Sequence, residues 1–526
     1  MMSVMLRFSA LFRSPLPIAT LIAFIYFLVQ FSQIAEYGVT WDEPLHRNWG
    51  KLFFLYWKTG EFSAISLMPG KGMYYGPLYY LCNYLLSEFL YENGWMRFVA
   101  ANHVLNIFTV SVGVGLVFLL AKAVSGWRIA ASTVVFFVLF PQLIAHAHYN
   151  PKDIPLMVGI LLSSLFFVRA LKTGRRRDFL FASVAFGLAY ALKVSAMLMA
   201  PVFLVTYLLW LRDRSGISRG LRAEWKTVVC GVVCFALSSY LFWPSAWMHP
   251  TLLIESLTLF VVADFWPGKV LFLGTEYAGK DLPFFYTTAE FVMATPILLL
   301  FFFVVGALTL LKRPKSPDRI QWIFIVLWVA FPLLLSMKPG LVRYDGIRQF
   351  FFILPALMLI AAYGFQQLLE LLRNRARSRY AGVIFMTLVL FSLLHQVASV
   401  YPFGGSYRNE IVRAVLPEGM DHQLEIEYWG APYKQGIEWL TLNAEPNPEI
   451  CVPIGGLLPT WYPWRTDFTF SCTPGFDYLM FITRYSEASE TALEGQQPVF
   501  NIERMGADLL HIYHIDTLRS GVESSL

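Results

Sequence analysis

Eleven long apolar runs decide what this 526-residue chain can fold into. An α-helix needs about 20 apolar residues to cross the roughly 30 Å hydrocarbon core of a bilayer. The runs cover, approximately, residues 15–35, 98–121, 127–146, 154–171, 179–192, 195–211, 227–243, 286–311, 320–336, 349–372 and 380–399. Only 14% of the residues are charged, against about 25% in an average soluble domain. We therefore predict an all-α polytopic membrane protein with about 11 transmembrane helices.

The charges divide the chain into two parts. The first 400 residues carry 34 basic residues (Lys and Arg) and 18 acidic residues (Asp and Glu). The last 126 residues carry 7 basic and 17 acidic residues. This contrast predicts a transmembrane unit over residues 1–400 and a small soluble domain over residues 401–526. Basic residues of a multi-span protein collect in its short loops, so the basic excess does not indicate nucleic-acid binding.

The basic clusters also predict orientation. They follow every second apolar run, as in Arg175 to Arg177 and Arg212 to Lys226. Because positive residues stay on the cytoplasmic side, the N-terminus is predicted to be cytoplasmic and the tail to be extracytoplasmic. The long loops on the outer face are then residues 36–97, 147–153, 244–285 and 337–348, and we expect the function to lie there.

The tail has the pattern of an α/β domain. A helix is predicted near Pro432 to Asn443, and strands at Glu449 to Ile454, Tyr478 to Thr483, Val499 to Glu503 and Leu509 to Ile515. Cys451 and Cys472 can pair in an oxidising compartment, and the sequence leaves open whether they are bonded or both free. No catalytic motif is visible in this part.

Two adjacent carboxylates, Asp42 and Glu43, follow the first apolar run and open an amphipathic helix that places His46 on its polar side. Capping is one interpretation, because Pro44 and acids are common in the first turn of a helix. The other is catalytic: a carboxylate in a partly dry cleft at the bilayer edge can accept a proton. Both interpretations stay open at this stage.

A second acidic point lies in the turn Asn150-Pro151-Lys152-Asp153, where Asp153 again fits either a cap or a site. His146 and His148 lie nearby but lack helical ligand spacing, so we predict no metal site. Lys193 lies between two short apolar runs. Its ammonium group needs an anionic partner or must reach the interface.

Basic residues on the outer face oppose the positive-inside trend and therefore suggest a bound anion. Arg343, Tyr344 and Arg348 lie together before the tenth run, and two arginines can hold a phosphate with forked donors. Contact with ordinary lipid headgroups is the alternative. The segment Gly274 to Lys280 has the spacing of a phosphate-binding loop, but Asp281 replaces the required hydroxyl residue, so no nucleotide is expected there.

These pieces together resemble the GT-C superfamily of polytopic glycosyltransferases, in the branch of protein O-mannosyltransferases and bacterial lipid A aminoarabinose transferases. The resemblance rests on four motifs: Asp42-Glu43, the Tyr74 to Tyr80 segment, Asn150 to Asp153, and Arg343-Tyr344 through Arg348 to Pro355. It covers roughly residues 15–400, and the tail departs from it.

The resemblance implies inverting transfer of a sugar from a polyprenyl-phosphate carrier to a lipid, glycan or protein acceptor, at the outer face of a bacterial inner membrane. Asp42 would be the general base, and Glu43 and Asp153 would orient the substrates. The predicted substrate or phosphate contacts are Lys152, Lys193, Arg343, Tyr344, Arg348, His46 and Tyr75. The branch implies no cofactor and no metal.

Two other classes of function are compatible with the sequence. A transporter or flippase for a lipid-linked or anionic substrate also places charges in a helix bundle, although such proteins usually show paired repeats that are not apparent here. An inactive scaffold that binds lipid carriers is the third hypothesis. Consumption of a polyprenyl-phosphate sugar by the solubilised protein separates a transferase from both.

Overall fold

The computed structural model describes residues 14–262, 266, 268–312, 318–376, 379–416, 419–456, 458, 461–462, 465–484 and 497–515. Its helices are α1 (Pro15–Ser32), α2 (Asp42–Thr59), α3 (Ser63–Ser66), α4 (Pro77–Glu92), α5 (Phe98–Ser125), α6 (Trp127–Val138), α7 (Pro141–Tyr149), α8 (Asp153–Thr173), α9 (Arg176–Leu192), α10 (Ala200–Ser215), α11 (Ile217–Leu241), α12 (Leu252–Val262), α13 (Tyr286–Ala294), α14 (Ile297–Leu311), α15 (Arg319–Ser336), α16 (Leu354–Ala376), α17 (Arg379–Val400), α18 (Glu410–Val415) and α19 (Tyr433–Asn443). The strands are β1 (Lys269–Phe272), β2 (Thr275–Ala278), β3 (Glu449–Cys451), β4 (Thr469–Phe470), β5 (Tyr478–Ile482), β6 (Phe500–Arg504) and β7 (Ala507–His514).

The apolar runs form a helix bundle, as predicted. Within the described residues, 8 helices are long and apolar enough to cross a membrane, or up to 10 if two bent pairs each count as one span. The remaining predicted span is α9, which has 17 residues and is slightly shorter than a full crossing. The chain is a multi-pass membrane protein.

Proline explains why two predicted spans are bent. Helices α6 and α7 meet at 66°, and Pro141 opens the second of them. Helices α13 and α14 meet at 116°, with Pro296 at the junction. Proline cannot donate the backbone hydrogen bond that would continue a helix, so each apolar run folds as two helices instead of one.

The C-terminal part forms the predicted α/β unit. Its sheet has the order β4-β3-β5-β7-β6, in which β3 pairs in parallel with β4 and β5, and β7 pairs antiparallel with β5 and β6. Helix α19 packs on the sheet through Tyr433, Ile437 and Leu440, all fully buried. Cys451 and Cys472 form a disulfide, which resolves the pairing that the sequence left open.

The C-terminal unit packs directly on one end of the bundle. A single hydrophobic cluster joins Tyr37 and Tyr149, from loops and helices of the bundle, to Trp429 and Tyr433 of the C-terminal part. We call this end of the bundle the site face. Helix α17 ends at Val400, and the division into two domains at residue 401 stays a prediction.

The segment that has the spacing of a phosphate-binding loop folds as a hairpin on the site face. Strands β1 and β2 pair in antiparallel register, and Leu273 and Gly274 form the two-residue turn with positive φ angles of 53° and 75°. Two consecutive left-handed residues are typical of a tight hairpin turn. The segment therefore serves as a hairpin and presents no helix N-terminus to a phosphate.

Candidate active site

Helix α2 begins at Asp42, but Asp42 does not cap it. The side chain of Glu43 instead holds the turn before the helix: its Oε2 accepts hydrogen bonds from the Thr40 backbone N–H at 2.7 Å and from the Thr40 hydroxyl at 3.1 Å. Its Oε1 lies 2.9 Å from Nε2 of buried His103. Both carboxylate oxygens of Glu43 therefore have partners that hold this turn. The carboxylate of Asp42 takes no part in these contacts.

Asp42 points at Arg348. Nη1 of Arg348 donates to Oδ2 of Asp42 at 2.8 Å, across 306 positions of sequence. Burial disfavours the charged form of Asp42, but Arg348 and Lys152 outweigh it and hold the pKa of this carboxyl below its ordinary value. Asp42 is therefore in its ionised, unprotonated form at neutral pH, the form that a proton acceptor requires.

The turn before α8 brings Lys152, Asp153 and Lys193 to the same place. Nζ of Lys193 lies 2.5 Å from Oδ1 of Asp153, which gives Lys193 the anionic partner that the sequence predicted. Oδ1 of Asn150 accepts the backbone N–H of Asp153 at 2.9 Å, and Nδ2 of Asn150 donates to Oδ2 of Asp153 at 3.2 Å. Asp153 and Lys193 thus neutralise each other in a fixed, buried pair.

Lys152 differs from the other cations of the site. Its Nζ lies 4.5 Å from the centre of the Tyr75 ring, as in a cation–π contact. In the part of the chain that the structure describes, it has no carboxylate within ion-pair distance, whereas Lys193 has one and Arg348 has two. Lys152 is thus the positive charge of this cluster that remains available to an anion.

Aromatic rings form one wall of the site. Tyr75 stacks on Trp49 at 5.0 Å, and Trp49 meets Tyr80 edge-on at 5.4 Å. The ring of His46 lies 5.0 Å from Tyr80. The sequence placed His46 on the polar side of its helix, but the structure buries it, and burial lowers its pKa to about 3. His46 is therefore neutral, and both of its ring nitrogens lack a partner among the described residues.

Arg348 is held between two further rings. Its Cζ lies 5.1 Å from the centre of Tyr344 and 4.9 Å from the centre of Trp429. Tyr344 in turn stacks on Trp266 at 4.6 Å. These two cation–π contacts favour the position in which the guanidinium faces Asp42.

Arg343 does not belong to this group, contrary to the phosphate contact expected from the sequence. Its guanidinium donates to the backbone carbonyls of residues 282, 283, 284 and 341 at 2.5, 2.9, 3.3 and 3.2 Å. The side chain is 1% exposed. It fastens the loop before Arg348 to the loop before α13, and its donors are not available to a phosphate.

Replacement of Arg343 is therefore expected to affect stability more than catalysis. Arg343→Met leaves several buried carbonyls without donors, which should cost about 1–3 kcal/mol of unfolding free energy. A thermal-shift measurement checks this, with Arg97→Met on the exposed surface as control. If the Arg343→Met protein were folded and fully stable but could no longer use the sugar donor, this structural role would be contradicted, and Arg343 would again be a candidate for binding the phosphate.

Three residues of the site were not identified from the sequence. Trp429 contacts Arg348, and Arg484 and Glu425 continue a chain of ion pairs from it. All three lie in the C-terminal part, where no motif marked them. The available signal was weak: Arg484 follows the buried strand β5 and is one of only 7 basic residues in the last 126.

Known proteins share this fold. Residues 99–243 match the family model described as dolichyl-phosphate-mannose-protein mannosyltransferase. ArnT from Cupriavidus metallidurans, solved bound to undecaprenyl phosphate, aligns with a TM-score of 0.51 at 13% identity, covering 94% of this chain and 97% of that one. The oligosaccharyltransferase of Archaeoglobus fulgidus aligns with a TM-score of 0.51 at 13% identity over 91% of this chain and 70% of that one. No curated protein sequence matches.

The chain has the polytopic GT-C fold that these two solved structures share. Structural likeness at these identities shows the fold, and the family model matches one part of the chain, residues 99–243. The chain is similar in fold to ArnT, and residues 99–243 are similar to the protein mannosyltransferase family, a resemblance that the sequence motifs indicated.

Proposed function

We propose that this protein transfers a sugar from a polyprenyl-phosphate carrier to a hydroxyl-bearing lipid, glycan or protein, with inversion at the anomeric carbon. The observation that carries the proposal is the meeting of an ionised carboxylate, Asp42, with an available cation, Lys152, on the site face. Lys152 is close enough to lower the pKa of Asp42. One group is suited to take up a proton and the other to bind a phosphate.

In the proposed reaction, the acceptor oxygen attacks the anomeric carbon from the side opposite the phosphate. The bond from that carbon to the phosphate oxygen breaks, and its electron pair leaves with polyprenyl phosphate. The acceptor proton passes to Asp42, whose Oδ2 is held by Arg348. Lys152 offsets the charge that develops on the leaving phosphate. The rings of Tyr75, His46 and Tyr344 border the space in which the substrates would meet.

The choice of a lipid-linked donor is supported by what known neighbours bind. ArnT, which shares the fold over nearly its full length, was solved with undecaprenyl phosphate. The family that matches residues 99–243 is described by a dolichyl-phosphate sugar. Such a donor carries its leaving group on a lipid, so a site beside the bilayer needs no soluble nucleotide.

We further propose that the site face is extracytoplasmic, in a bacterial inner membrane. The alternation of basic loops supports this orientation, and so does the disulfide of Cys451 and Cys472, because disulfides persist in oxidising compartments. Independence from metal stays a prediction. Among the described residues, no group of three or more His, Cys, Asp or Glu side chains is arranged to hold a metal ion.

The experiment that tests the proposal also separates it from transport. Protein purified in detergent has no second compartment, so a transporter or flippase leaves the donor chemically unchanged. The proposal expects consumption of a polyprenyl-phosphate sugar, with release of polyprenyl phosphate that depends on the protein and on an acceptor. An intact donor, in a preparation that still binds it, would favour the transporter.

The ion pair between Asp42 and Arg348 predicts a shift in pH dependence. Arg348, Lys152, His46 and Tyr80 are titratable or charged groups that interact with Asp42. In Arg348→Met, burial of Asp42 is no longer offset by its nearest cation, so its pKa rises and the base is protonated at higher pH. The acid side of the rate profile is therefore expected to move to higher pH than in the wild type. Profiles of transfer rate between about pH 4 and 8 check this, and identical acid limbs would contradict it.

A further inference from the structure

The C-terminal unit contacts the turn that carries Asp42. The backbone N–H of Trp41 donates to the carbonyl of Trp429 at 2.8 Å, one residue before the predicted base. The ring of Trp429 also lies against Arg348, the partner of that base. Trp429 thus contacts Arg348 directly and the backbone of the residue that precedes Asp42.

A chain of ion pairs runs from the C-terminal sheet to Asp42. Its links are Asp42 to Arg348 at 2.8 Å, Arg348 to Asp345 at 2.5 Å, Asp345 to Arg484 at 3.1 Å and Arg484 to Glu425 at 3.3 Å. Acidic and basic side chains alternate along the chain. Every side chain after Asp42 is at most 8% exposed, so water screens these charges little.

The backbone at Asp345 shows how tightly this arrangement is built. Asp345 has a φ of 55°, in the left-handed region that non-glycine residues seldom adopt, and Gly346 follows with a φ of 61°. The Gly346 N–H donates to the hydroxyl of Tyr286 at 3.0 Å, which holds the turn. The result is a carboxylate whose two oxygens face two different arginines.

Arg484 is anchored on the C-terminal side of this carboxylate. Its Nη1 donates to the backbone carbonyl of Tyr428 at 2.7 Å, and its Nη2 reaches Asp345. A buried carboxylate that loses one of its two cations is left with a single cation to offset its charge. Asp345 would then draw Arg348 toward itself and away from Asp42, because both carboxylates compete for the same guanidinium.

We propose that Arg484 is a positioning residue for sugar transfer, which acts through Asp345 to hold Arg348 against Asp42. The proposal rests on the function proposed above. It assigns a role to the C-terminal unit, whose side chains would position active-site residues without contacting the substrates. Arg484 touches neither substrate in this account, so its loss should lower the rate of the chemical step and leave donor binding intact.

The test compares kcat and KM for polyprenyl-phosphate sugar in four variants of the full-length protein. Arg484→Met should lower kcat about 10-fold or more, as expected when a catalytic group is misplaced, with KM for the donor near the wild-type value. Arg484→Lys should have a kcat between those of Arg484→Met and the wild type, since lysine supplies the positive charge but lacks the several donors of a guanidinium group. Asp345→Asn combined with Arg484→Met removes the carboxylate that competes for Arg348 and should exceed Arg484→Met alone in kcat.

Arg465→Met is the matched control. It removes an ion pair to Asp467 on the more exposed side of the same unit and should leave kcat near the wild-type value. If Arg484→Met does not fold, the kinetics of Arg484→Lys test the proposal instead. A reduced kcat at constant KM supports a positioning role for Arg484, and an unchanged kcat overturns that role.

Asp42→Asn, measured in parallel, separates failure of this inference from failure of the proposed function. A folded Arg484→Met protein with wild-type kcat, beside an inactive Asp42→Asn protein, overturns the role of Arg484 alone. Wild-type turnover in Asp42→Asn removes the proposed base and with it the reason for positioning Arg348.

Discussion

Asp42→Asn is expected to lower the rate of sugar transfer by about 100-fold or more, the usual contribution of a positioned general base. The asparagine oxygen can still accept the hydrogen bond that Arg348 donates to Asp42, so the geometry of the pair is kept. An amide cannot take up the acceptor's proton at neutral pH. Single-turnover transfer of the sugar measures the loss, and a thermal-shift assay reports folding.

Asp281→Asn, on an exposed loop of the same face, is the control and should transfer at the wild-type rate. Glu43→Gln tests the other carboxylate of the turn. Because Glu43 holds Thr40 and pairs with His103, its loss should reduce stability more than it reduces the rate per folded molecule. A folded Asp42→Asn protein with near-wild-type turnover would move the search for a base to Asp153.

Lys152→Met is expected to have the second large effect. Loss of one donor to a developing oxyanion typically costs about 100-fold in rate or more. Lys152 is the cation of the site without a carboxylate partner among the described residues, so its removal also breaks no ion pair and should leave the fold stable. Donor binding should weaken as well, since the phosphate is charged before and after transfer.

The measurement for Lys152→Met is the steady-state kcat and KM for the lipid-linked donor, with Lys338→Met as control. Lys338 is an exposed lysine of the loop between α15 and Arg348 and should be neutral to replacement. Lys193→Met provides the contrast, because it leaves Asp153 as an uncompensated buried charge and should destabilise the protein. If Lys152→Met used the donor like the wild type, the phosphate would have to bind elsewhere.

The sequence predicted the bundle well because apolar length and loop charge are local properties. The spans, the helix of the tail and four of the five strands of its sheet follow from hydrophobic runs that need no knowledge of partners; the two-residue strand β4 was not predicted. The bends at Pro141 and Pro296 were visible as prolines but lay inside continuous apolar runs, and hydropathy alone does not separate a bent pair from a single span.

The candidate site was predicted only in part, because the residues that contact each other in the site are far apart in the sequence. Arg343 and Arg348 looked alike in sequence, yet one fastens backbone carbonyls and the other faces Asp42. Lys193 was expected to need an anion, and Asp153 supplies it from 40 residues away. Arg484 lies 139 positions from Asp345, and only the packing of the sheet on the bundle brings them together.

The most direct test of the account follows both products of a single reaction. Purified protein is given a polyprenyl-monophosphate sugar of known anomeric configuration and an acceptor, and the glycoside and the lipid are analysed together by NMR and mass spectrometry. Inverting transfer from this donor predicts a glycoside of opposite configuration and one polyprenyl phosphate for each sugar transferred. A glycoside that retains the donor's configuration, or a donor that is bound and never cleaved, would contradict it.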